Sequence, residues 1–200
     1  MRIALLCLIC LPAFLPLSQA AESQANRPLP EKIEVEDTNN CYRLDTHFYR
    51  SAQPNDEGFA DFQKKGIKSV LNLREHHSDN RKAAKTTLKL YHYPVAAGKL
   101  TRNDLMECLL TVELAPKPIV IHCWHGSDRT GVVCAAYRIV KQGWPIDDAI
   151  REFTDGPFGF HSTFYGNLPA LLKSIDWKAF KKELSQKAEE ARIRAKAREK

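Results

Sequence analysis

The stretch from residue 118 to residue 140 constrains the fold more than any other part of this 200-residue chain. An apolar run, Ile119–Ile121, leads into the decapeptide His122–Gly131 and then into a segment with apolar residues at helical spacing. This order predicts a buried strand that passes, through a tight loop, into the N-terminus of a helix. The first turn of a helix presents unpaired backbone N–H groups and the positive end of its dipole. The loop is therefore predicted to bind an anion such as phosphate.

Two side chains of this decapeptide have complementary chemistry. Cys123 lies at the start of the loop, where the helix dipole favours a thiolate and so makes the sulfur a usable nucleophile. Arg129 follows after five residues, so the loop can curl until its guanidinium contacts two oxygens of a phosphate above the sulfur. Gly126 permits the turn between them. The loop is thus a candidate site for phosphoryl transfer to cysteine, with no metal or other cofactor.

The full decapeptide His-Cys-Trp-His-Gly-Ser-Asp-Arg-Thr-Gly resembles the signature loop of the cysteine-dependent protein tyrosine phosphatases, His-Cys-x5-Arg-Thr/Ser. Rhodanese-type sulfurtransferases also place a cysteine loop before a helix, but theirs usually has one residue fewer before the arginine. The resemblance implies the phosphatase fold, which is α/β with a central, largely parallel sheet flanked by helices. The helical periods and short strands along the chain independently favour the same class.

The resemblance also implies a role for each residue of the loop. The backbone amides of residues 124–129, with Gly126 and Ser127 among them, would stabilise the phosphate oxygens. Thr130 would hydrogen-bond the cysteine sulfur, and His122 would support Cys123 from behind. The remaining loop side chains would shape the mouth of the substrate pocket, and they are Trp124 and His125.

Further matches lie outside the loop. Tyr49–Pro54, Gln142–Trp144 and Gly156–His161 look like segments of the dual-specificity phosphatases that bacteria export. Matches are scattered from Phe48 to about Leu184, so the resemblance covers roughly the whole mature domain.

The domain boundaries follow from composition. Residues 1–20 have one positive charge, an apolar core and small residues before Ala21, which predicts a secretory signal peptide cleaved near Ala20 and no stable membrane insertion, with an uncleaved N-terminal anchor as the alternative. The resemblance to exported bacterial phosphatases implies a periplasmic location. Residues 21–39 are predicted to be a linker, 40–183 the catalytic domain, and 184–200 a charged helical tail. The tail carries much of the net charge of +6. Without interleaved aromatic residues it indicates a solvated face rather than a nucleic-acid partner.

Short apolar and polar patterns predict the individual elements. We expect strands at Cys41–Leu44, His47–Arg50, Ile67–Leu73, Leu88–Pro94 and Ile119–Ile121. We expect helices from the Asn55 cap to Gly66, from Asn103 or Asp104 to Pro116, and at 131–142, 145–155, 165–173 and 176 to the terminus. Cys108 and Cys134 fall on apolar helix faces, which is typical of core cysteines.

The polar run 74–81 follows a predicted buried strand. The carboxyl ends of parallel strands meet at one edge of a sheet, so this run is expected on the same rim as the signature loop. Arg74, His76 and Asp79 are therefore candidates for substrate contact. Adjacent histidines, His76 and His77, seldom converge on one ion, so no metal site is predicted here.

The usual general acid of the superfamily is missing. In most members a loop about thirty residues before the cysteine supplies an aspartic acid, but no Asp or Glu occurs between Asp79 and Asp104. Asp128 is a substitute, because myotubularin-like phosphatases, whose loop also reads Asp-Arg-Thr, are thought to draw the acid from within it. Two alternatives stay open: Asp128 only orients Arg129 or the amides, or the acid is Asp79 or Asp104.

The sequence therefore predicts a metal-free phosphomonoesterase that acts on a phosphorylated protein, phosphotyrosine foremost and phosphoserine or phosphothreonine besides, or on a small phosphate monoester. One rival is a lipid or inositol phosphate phosphatase. A rival of another class is a pseudophosphatase, which binds phosphorylated ligands without turnover. The oligomeric state is not predicted by any of these residues.

Overall fold

The computed structural model describes residues 29–198. The predicted signal peptide, 1–20, lies outside these residues. The strands are β1 Glu31–Lys32, β2 Tyr42–Arg43, β3 Phe48–Ser51, β4 Ser69–Asn72, β5 Lys89–His92 and β6 Ile119–His122. The helices are α1 Asp56–Lys64, α2 Arg102–Leu114, α3 Asp128–Lys141, α4 Ile146–Asp155, α5 Ser162–Tyr165, α6 Asn167–Ser174 and α7 Trp177–Arg198. A short 3-10 helix lies at Ala97–Lys99.

The strands form one sheet in the order β1-β2-β3-β6-β4-β5. The first three pair antiparallel, whereas β3, β6, β4 and β5 run parallel. The predicted α/β fold with a largely parallel sheet is confirmed. The last strand in sequence is at the centre of the sheet, between two earlier ones, and all four of its residues are buried.

Both faces of this central strand pack in a core. Because successive strand residues point to opposite faces, Ile119 and Ile121 join the larger cluster, which includes residues of α2, α3, α4, α6 and α7. Val120 joins a smaller cluster with Phe59 and Phe62 of α1. The strand that ends at the signature loop is therefore fixed by packing from both sides.

The predicted linker 21–39 is wrong for its C-terminal part. Glu31 and Lys32 form β1 and pair with β2, and Val35 is buried in the smaller core cluster. A two-residue edge strand is too short to show the alternation of apolar and polar residues by which a strand is predicted. It holds its place through backbone pairing rather than through an apolar pattern.

The predicted boundary between the catalytic domain and the C-terminal tail, at residue 183, does not coincide with the end of a helix either. Helix α7 runs without interruption from Trp177 to Arg198 and packs against α2, with Leu184 and Ala188 buried. The charged residues of α7 lie mostly at exposed positions, and its buried apolar residues are few. The high density of charge therefore led the sequence analysis to place a tail where the helix packs against the core. No helix among residues 29–198 is long and apolar enough to cross a membrane.

Three other helix boundaries differ from the predictions. Helix α2 begins after Thr101, whose side chain accepts from the Asp104 backbone while the Asp104 carboxylate accepts from Thr101, a reciprocal cap. Helix α3 begins at Asp128, inside the signature loop. The predicted helix 165–173 is two helices, α5 and α6. Cys108 and Cys134 are buried in the core, as predicted.

Candidate active site

The signature loop connects the buried β6 to the first turn of α3. Cys123 follows the strand directly and is 2% exposed, yet it lines a cavity of about 600 Å³. Gly126, at the turn of the loop, has a φ of 74°. A cysteine that lines a cavity beside the N-terminus of a fourteen-residue helix has the placement that favours an anionic ligand.

Arg129 lines the same cavity, and its position is set by two backbone carbonyls. Nη1 donates to Leu73 O and Val95 O, both at 3.3 Å, just beyond the carboxyl ends of β4 and β5. Among the described residues no hydrogen bond occupies Nη2 or Nε. The guanidinium is therefore held in place while it keeps donors for phosphate oxygens.

Arg50 of β3 supports the loop from below. Its side chain is 1% exposed, Nη2 donates to Gly126 O at 2.6 Å, and its guanidinium lies 3.6 Å from the centre of the Phe158 ring. Burial lowers the pKa of Arg50, because desolvation disfavours the charged form. The carbonyl and the aromatic face offset this cost, so the residue fixes the loop backbone at its turn.

The segment around Phe158 also binds the loop. Ser127 Oγ donates to Phe158 O at 2.5 Å, and Asn40 Nδ2 donates both to Phe158 O at 3.0 Å and to His125 O at 2.9 Å. Two side chains from outside the loop, Arg50 and Asn40, thus hold the carbonyls of Gly126 and His125, and Ser127 ties the loop to Phe158. The loop geometry is therefore determined by the fold as a whole and not by its ten residues alone.

Glycine is required at position 126, and this gives a first prediction. A Cβ there would meet Ser51 O at 2.5 Å and Ala52 N at 2.7 Å, backbone atoms that cannot rotate away. We expect Gly126→Ala to lower kcat/KM at least about a hundredfold, because a misplacement of about 1 Å can cost that much. The rate is measured on an aryl phosphate, with folding checked by circular dichroism.

Gly66→Ala is the matched control for Gly126→Ala. Gly66 also has a positive φ, 85°, but a Cβ there would meet nothing within 4 Å. This variant should cost about 1–2 kcal/mol of stability and keep its activity. Equal activity losses in the two variants would mean that the turn at Gly126 has no special role in the site.

His122 and Asp79 form a buried pair behind the cysteine. His122 Nε2 lies 2.8 Å from Asp79 Oδ2, and Gln53 Nε2 donates to the other carboxylate oxygen at 3.1 Å. Burial alone would raise the pKa of Asp79, but the hydrogen bonds from His122 and Gln53 and the histidine charge outweigh it and lower the pKa. Asp79 is thus ionised at neutral pH and orients the residue that precedes Cys123.

This pair makes stability depend on pH. A carboxyl whose pKa is lower in the folded state than in the unfolded chain stabilises the fold above its unfolded pKa, and the contribution is lost as pH falls through the folded pKa. We expect Asp79→Asn to be destabilised by about 1.5–3 kcal/mol at pH 7, the value of a hydrogen bond to a charged group. The difference from the parent should shrink below about pH 4.

Urea unfolding of parent and Asp79→Asn between about pH 3 and pH 7 measures this difference. Asp56→Asn is the control, because Asp56 is exposed in the first turn of α1 and away from the cavity. A difference between parent and Asp79→Asn that stayed constant down to the lowest pH would contradict the ionised pair.

The predicted role of Asp79 in substrate contact is corrected by this geometry. Asp79 is 4% exposed and turned toward His122, and it does not line the cavity. Asp104 is also excluded as a general acid, since it caps α2 and accepts from Tyr93 Oη at 2.8 Å. Only the carboxylate of Asp128, of the three candidates, lines the cavity.

Asp128 is the first residue of α3, and its carboxylate is held by His161. The backbone N–H of His161 donates to Oδ1 at 2.9 Å, and His161 Nδ1 lies 2.8 Å from Oδ2. His161 was missed by the sequence reasoning, although the segment that contains it was noted. Both residues line the cavity with Cys123.

The mouth of the cavity is basic and aromatic. Arg74 lies over the ring of Trp124 at 4.2 Å and donates to Gln53 Oε1 at 2.9 Å. Burial, and then the nearby charge of Arg129, lower the pKa of Arg74. Two guanidinium groups thus face one cavity, and an anion between them would relieve their repulsion.

The structure brings most of the predicted site residues together. Those that line the cavity are Arg74, His76, Cys123, Trp124, His125, Asp128 and Arg129. Those buried behind its wall are Asp79, His122, Gly126, Ser127 and Thr130. Among the described residues Thr130 Oγ1 has no hydrogen-bond partner, so the predicted bond to the sulfur is not made in this structure.

Within the described part of the chain, one group of side chains has donor atoms close enough together for a metal ion. The ligand atoms of His125, Asp128 and His161 lie within 4.8 Å of one another. His76 and His77, the adjacent pair in the sequence, are not part of this group.

Comparison with known proteins identifies the family. A family model described as DSP-PTPase phosphatase fused to NAD+ kinase matches residues 20–158, more than half of the chain. The chain belongs to this DSP-PTPase family. It therefore shares the family's fold and its Cys-x5-Arg loop, the two features that the sequence predicted.

Two curated relatives have names that describe an activity. The dual specificity protein phosphatase TpbA of Pseudomonas aeruginosa is 33% identical over 142 residues, which cover 70% of this chain and 65% of TpbA. An inositol diphosphatase of Saccharomyces cerevisiae is 30% identical over 130 residues, which cover 60% of this chain and 46% of that protein. The chain thus spans less than two thirds of the length of either relative.

Solved structures agree with the family. The crystal structure of P. aeruginosa TpbA matches with a TM-score of 0.71 and 25% identity, covering 80% of this chain and 99% of that one. A cysteine-to-serine variant of TpbA in complex with phosphotyrosine matches with a TM-score of 0.72 and covers 98% of that chain. The DSP-PTPase fold is therefore common to both proteins.

Proposed function

We propose that the protein hydrolyses phosphate monoesters, with phosphotyrosine in proteins as the main substrate, through a cysteinyl-phosphate intermediate. One observation carries the proposal: Cys123 and Arg129 line the same cavity at the N-terminus of α3. A nucleophilic sulfur, a guanidinium and a helix N-terminus are together what attack on phosphorus requires. The chemistry needs no metal ion in this scheme.

In the first step the thiolate of Cys123 attacks phosphorus. The S–P bond forms as the bond from phosphorus to the ester oxygen breaks, and Arg129 stabilises the charge on the equatorial oxygens. Asp128 protonates the leaving oxygen. In the second step water attacks phosphorus and the S–P bond breaks. Asp128 accepts the proton of that water, and Cys123 returns as thiolate.

The position of Asp128 supports this assignment. It is the carboxylate among the candidates that lines the cavity, and His161 Nδ1 lies 2.8 Å from Oδ2. A proton on the His161 imidazole can therefore pass to the Asp128 carboxylate after Asp128 has protonated the leaving oxygen. The competing hypothesis is that Asp128 only orients Arg129 and the loop amides.

A leaving-group series separates these two hypotheses. Nitrophenolate is stable as an anion, so Asp128→Asn should be only mildly impaired on nitrophenyl phosphate. A phenol or an alkyl alcohol leaves poorly without a proton, so a loss of about a hundredfold or more is expected there. We would measure single-turnover rates for aryl phosphates of rising leaving-group pKa.

Asp147→Asn is the control for this series. Asp147 is exposed in the first turn of α4, paired with Lys173 at 3.4 Å, and outside the cavity. The single-turnover rates of Asp147→Asn should equal those of the parent for every substrate in the series. An equal loss for all leaving groups in Asp128→Asn would contradict general acid catalysis and leave Asp128 a positioning residue.

The preference for phosphotyrosine has its own support. The cavity is lined by Trp124 and Tyr165, aromatic faces that can contact a phenyl ring. A related structure, the TpbA variant, is in complex with phosphotyrosine. The favoured substrate is therefore an aryl phosphate displayed on an exposed segment of a protein.

A second candidate is an inositol phosphate or phosphoinositide. The basic lining, with Arg74, Arg129 and four histidines, fits a ligand with several phosphates, and relatives include inositol diphosphatases. Rates for phosphotyrosine peptides, phosphoserine peptides, phosphoinositides and inositol pyrophosphates, measured side by side, decide between the classes. A kcat/KM for any inositol compound at least tenfold above the best peptide would overturn the proposal.

A pseudophosphatase, which binds without turnover, is the remaining rival. A burst of released alcohol equal to the enzyme concentration would show that the cysteine reacts.

We also propose that the protein acts in the periplasm after cleavage near Ala20, which the composition of residues 1–20 supports. N-terminal sequencing of the exported protein tests that site.

A further inference from the structure

Three potential metal ligands converge beside the cysteine. His125 belongs to the signature loop, Asp128 is the first residue of α3, and His161 follows α4. Their ligand atoms lie within 4.8 Å of one another, and all three residues line the cavity that contains Cys123. The long sequence separation of His161 means that the fold, not a local motif, assembles this group.

The donor set matches zinc. Two imidazoles and one carboxylate are ligands that Zn²⁺ takes in sites with an open fourth position. With bonds of about 2.0–2.2 Å, a tetrahedral ion holds its ligand atoms roughly 3.3–3.5 Å apart. His161 Nδ1 and Asp128 Oδ2 are 2.8 Å apart, and all the ligand atoms lie within 4.8 Å of one another, so side-chain rotations must bring the three groups to this spacing.

His125 is the residue that a simple hydrogen-bonded pair leaves unexplained. Asp128 and His161 bond to each other, but within residues 29–198 no hydrogen bond or ion pair fixes the His125 ring, which is exposed. Its centroid lies 5.2 Å from that of His161, and its backbone carbonyl is held by Asn40 at 2.9 Å. The backbone is thus fixed while the ring nitrogens remain available to an ion.

We propose that His125, Asp128 and His161 form a zinc site that inhibits the enzyme when it is occupied. Asp128 is buried, His161 is partly buried and His125 is exposed, so an ion reaches the site from the cavity mouth. Bound zinc would take the carboxylate of Asp128 and replace the proton shared with His161. The inhibitory part rests on the proposed function, in which that carboxylate carries a proton.

Calorimetry of ZnCl₂ binding tests the site without any activity. The protein would first be freed of metal with a chelator and then dialysed. Zinc should bind the parent and Cys123→Ser within about threefold of each other, because the sulfur is not a ligand. His125→Gln and His161→Gln should each bind at least about tenfold more weakly, since losing even an outer-shell partner costs about 10–100-fold.

His47→Gln is the matched control, because it removes an exposed imidazole that lies just before β3 and outside the cavity. It should bind zinc like the parent. Three results would each overturn the site: no zinc binding by the parent, unchanged affinity in His161→Gln, or binding lost in Cys123→Ser alone. The last result would place the ion on the thiolate.

Inhibition is measured separately, on phenyl phosphate, whose poor leaving group needs the proton of Asp128, with rising zinc in a buffer that does not bind metals. The parent should lose activity over the concentrations at which calorimetry shows binding, and excess EDTA should restore it. His125→Gln should need at least about tenfold more zinc. Binding without inhibition would overturn the inhibitory role, whereas an inactive parent that still binds zinc would overturn only the proposed function.

Discussion

Cys123→Ser is expected to lower turnover of phosphate esters by at least about 10⁴-fold, since removing a nucleophile alone can cost about 10⁶. The serine hydroxyl is not ionised near neutral pH, so attack on phosphorus fails. Arg129 and the helix N-terminus remain, so affinity for inorganic phosphate should stay within about threefold of the parent. Hydrolysis of nitrophenyl phosphate gives the first quantity, and calorimetry gives the second.

Cys41→Ser is the matched control. Cys41 is also buried, but its Sγ lies 3.3 Å from Thr38 O and 3.4 Å from Asn39 O, contacts that a serine hydroxyl can keep. It should retain the parent's activity. If Cys123→Ser kept activity within about tenfold of the parent, the covalent mechanism would be wrong, and a water molecule would be the attacking group.

Arg129→Lys is expected to lower the single-turnover rate by about 10²–10³-fold, the cost of removing one preorganised donor group from a transition state. Lysine keeps the charge but cannot make a two-pronged contact with phosphate. It also lacks the fork that lets Nη1 bond to Leu73 O and Val95 O while other N–H groups face the ligand. Rapid-quench measurement on an aryl phosphate gives the rate.

Arg102→Lys is the control for this substitution. Arg102 is half-buried at the start of α2, pairs with Glu183 at 2.6 Å, and lies outside the cavity. A lysine can keep that ion pair, so activity should be unchanged. Near-normal turnover in Arg129→Lys would show that the loop does not close around phosphate as argued.

The loop itself was predictable because its determinants are local. A buried strand, a glycine turn and a helix N-terminus all lie within about twenty residues, and each has a sequence signal that needs no knowledge of the rest of the fold. The strand β6, the helix that follows it and the shared cavity of Cys123 and Arg129 all follow from that stretch, although α3 begins three residues earlier than predicted.

The side-chain contacts that hold the signature loop in place were not predictable, because the residues that make them come from distant segments of the chain. His122 and Asp79 are 43 residues apart, and Asp128 and His161 are 33 apart. Arg50, which bonds to Gly126, is 76 residues from it. A polar residue after a strand signals the rim of a sheet, but not whether its side chain faces the ligand or turns inward, and so Asp79 was misassigned.

The central position of β6 has a consequence for how the protein reaches its native state. The strand pairs with β3 on one side and β4 on the other, so it inserts between partners that precede it in the chain. Contacts between segments far apart in sequence form late, because chain closure costs entropy before the pairing compensates for it. Refolding should therefore yield no catalytically competent intermediate: the cysteine reaches its helix N-terminus only in the step that completes the sheet.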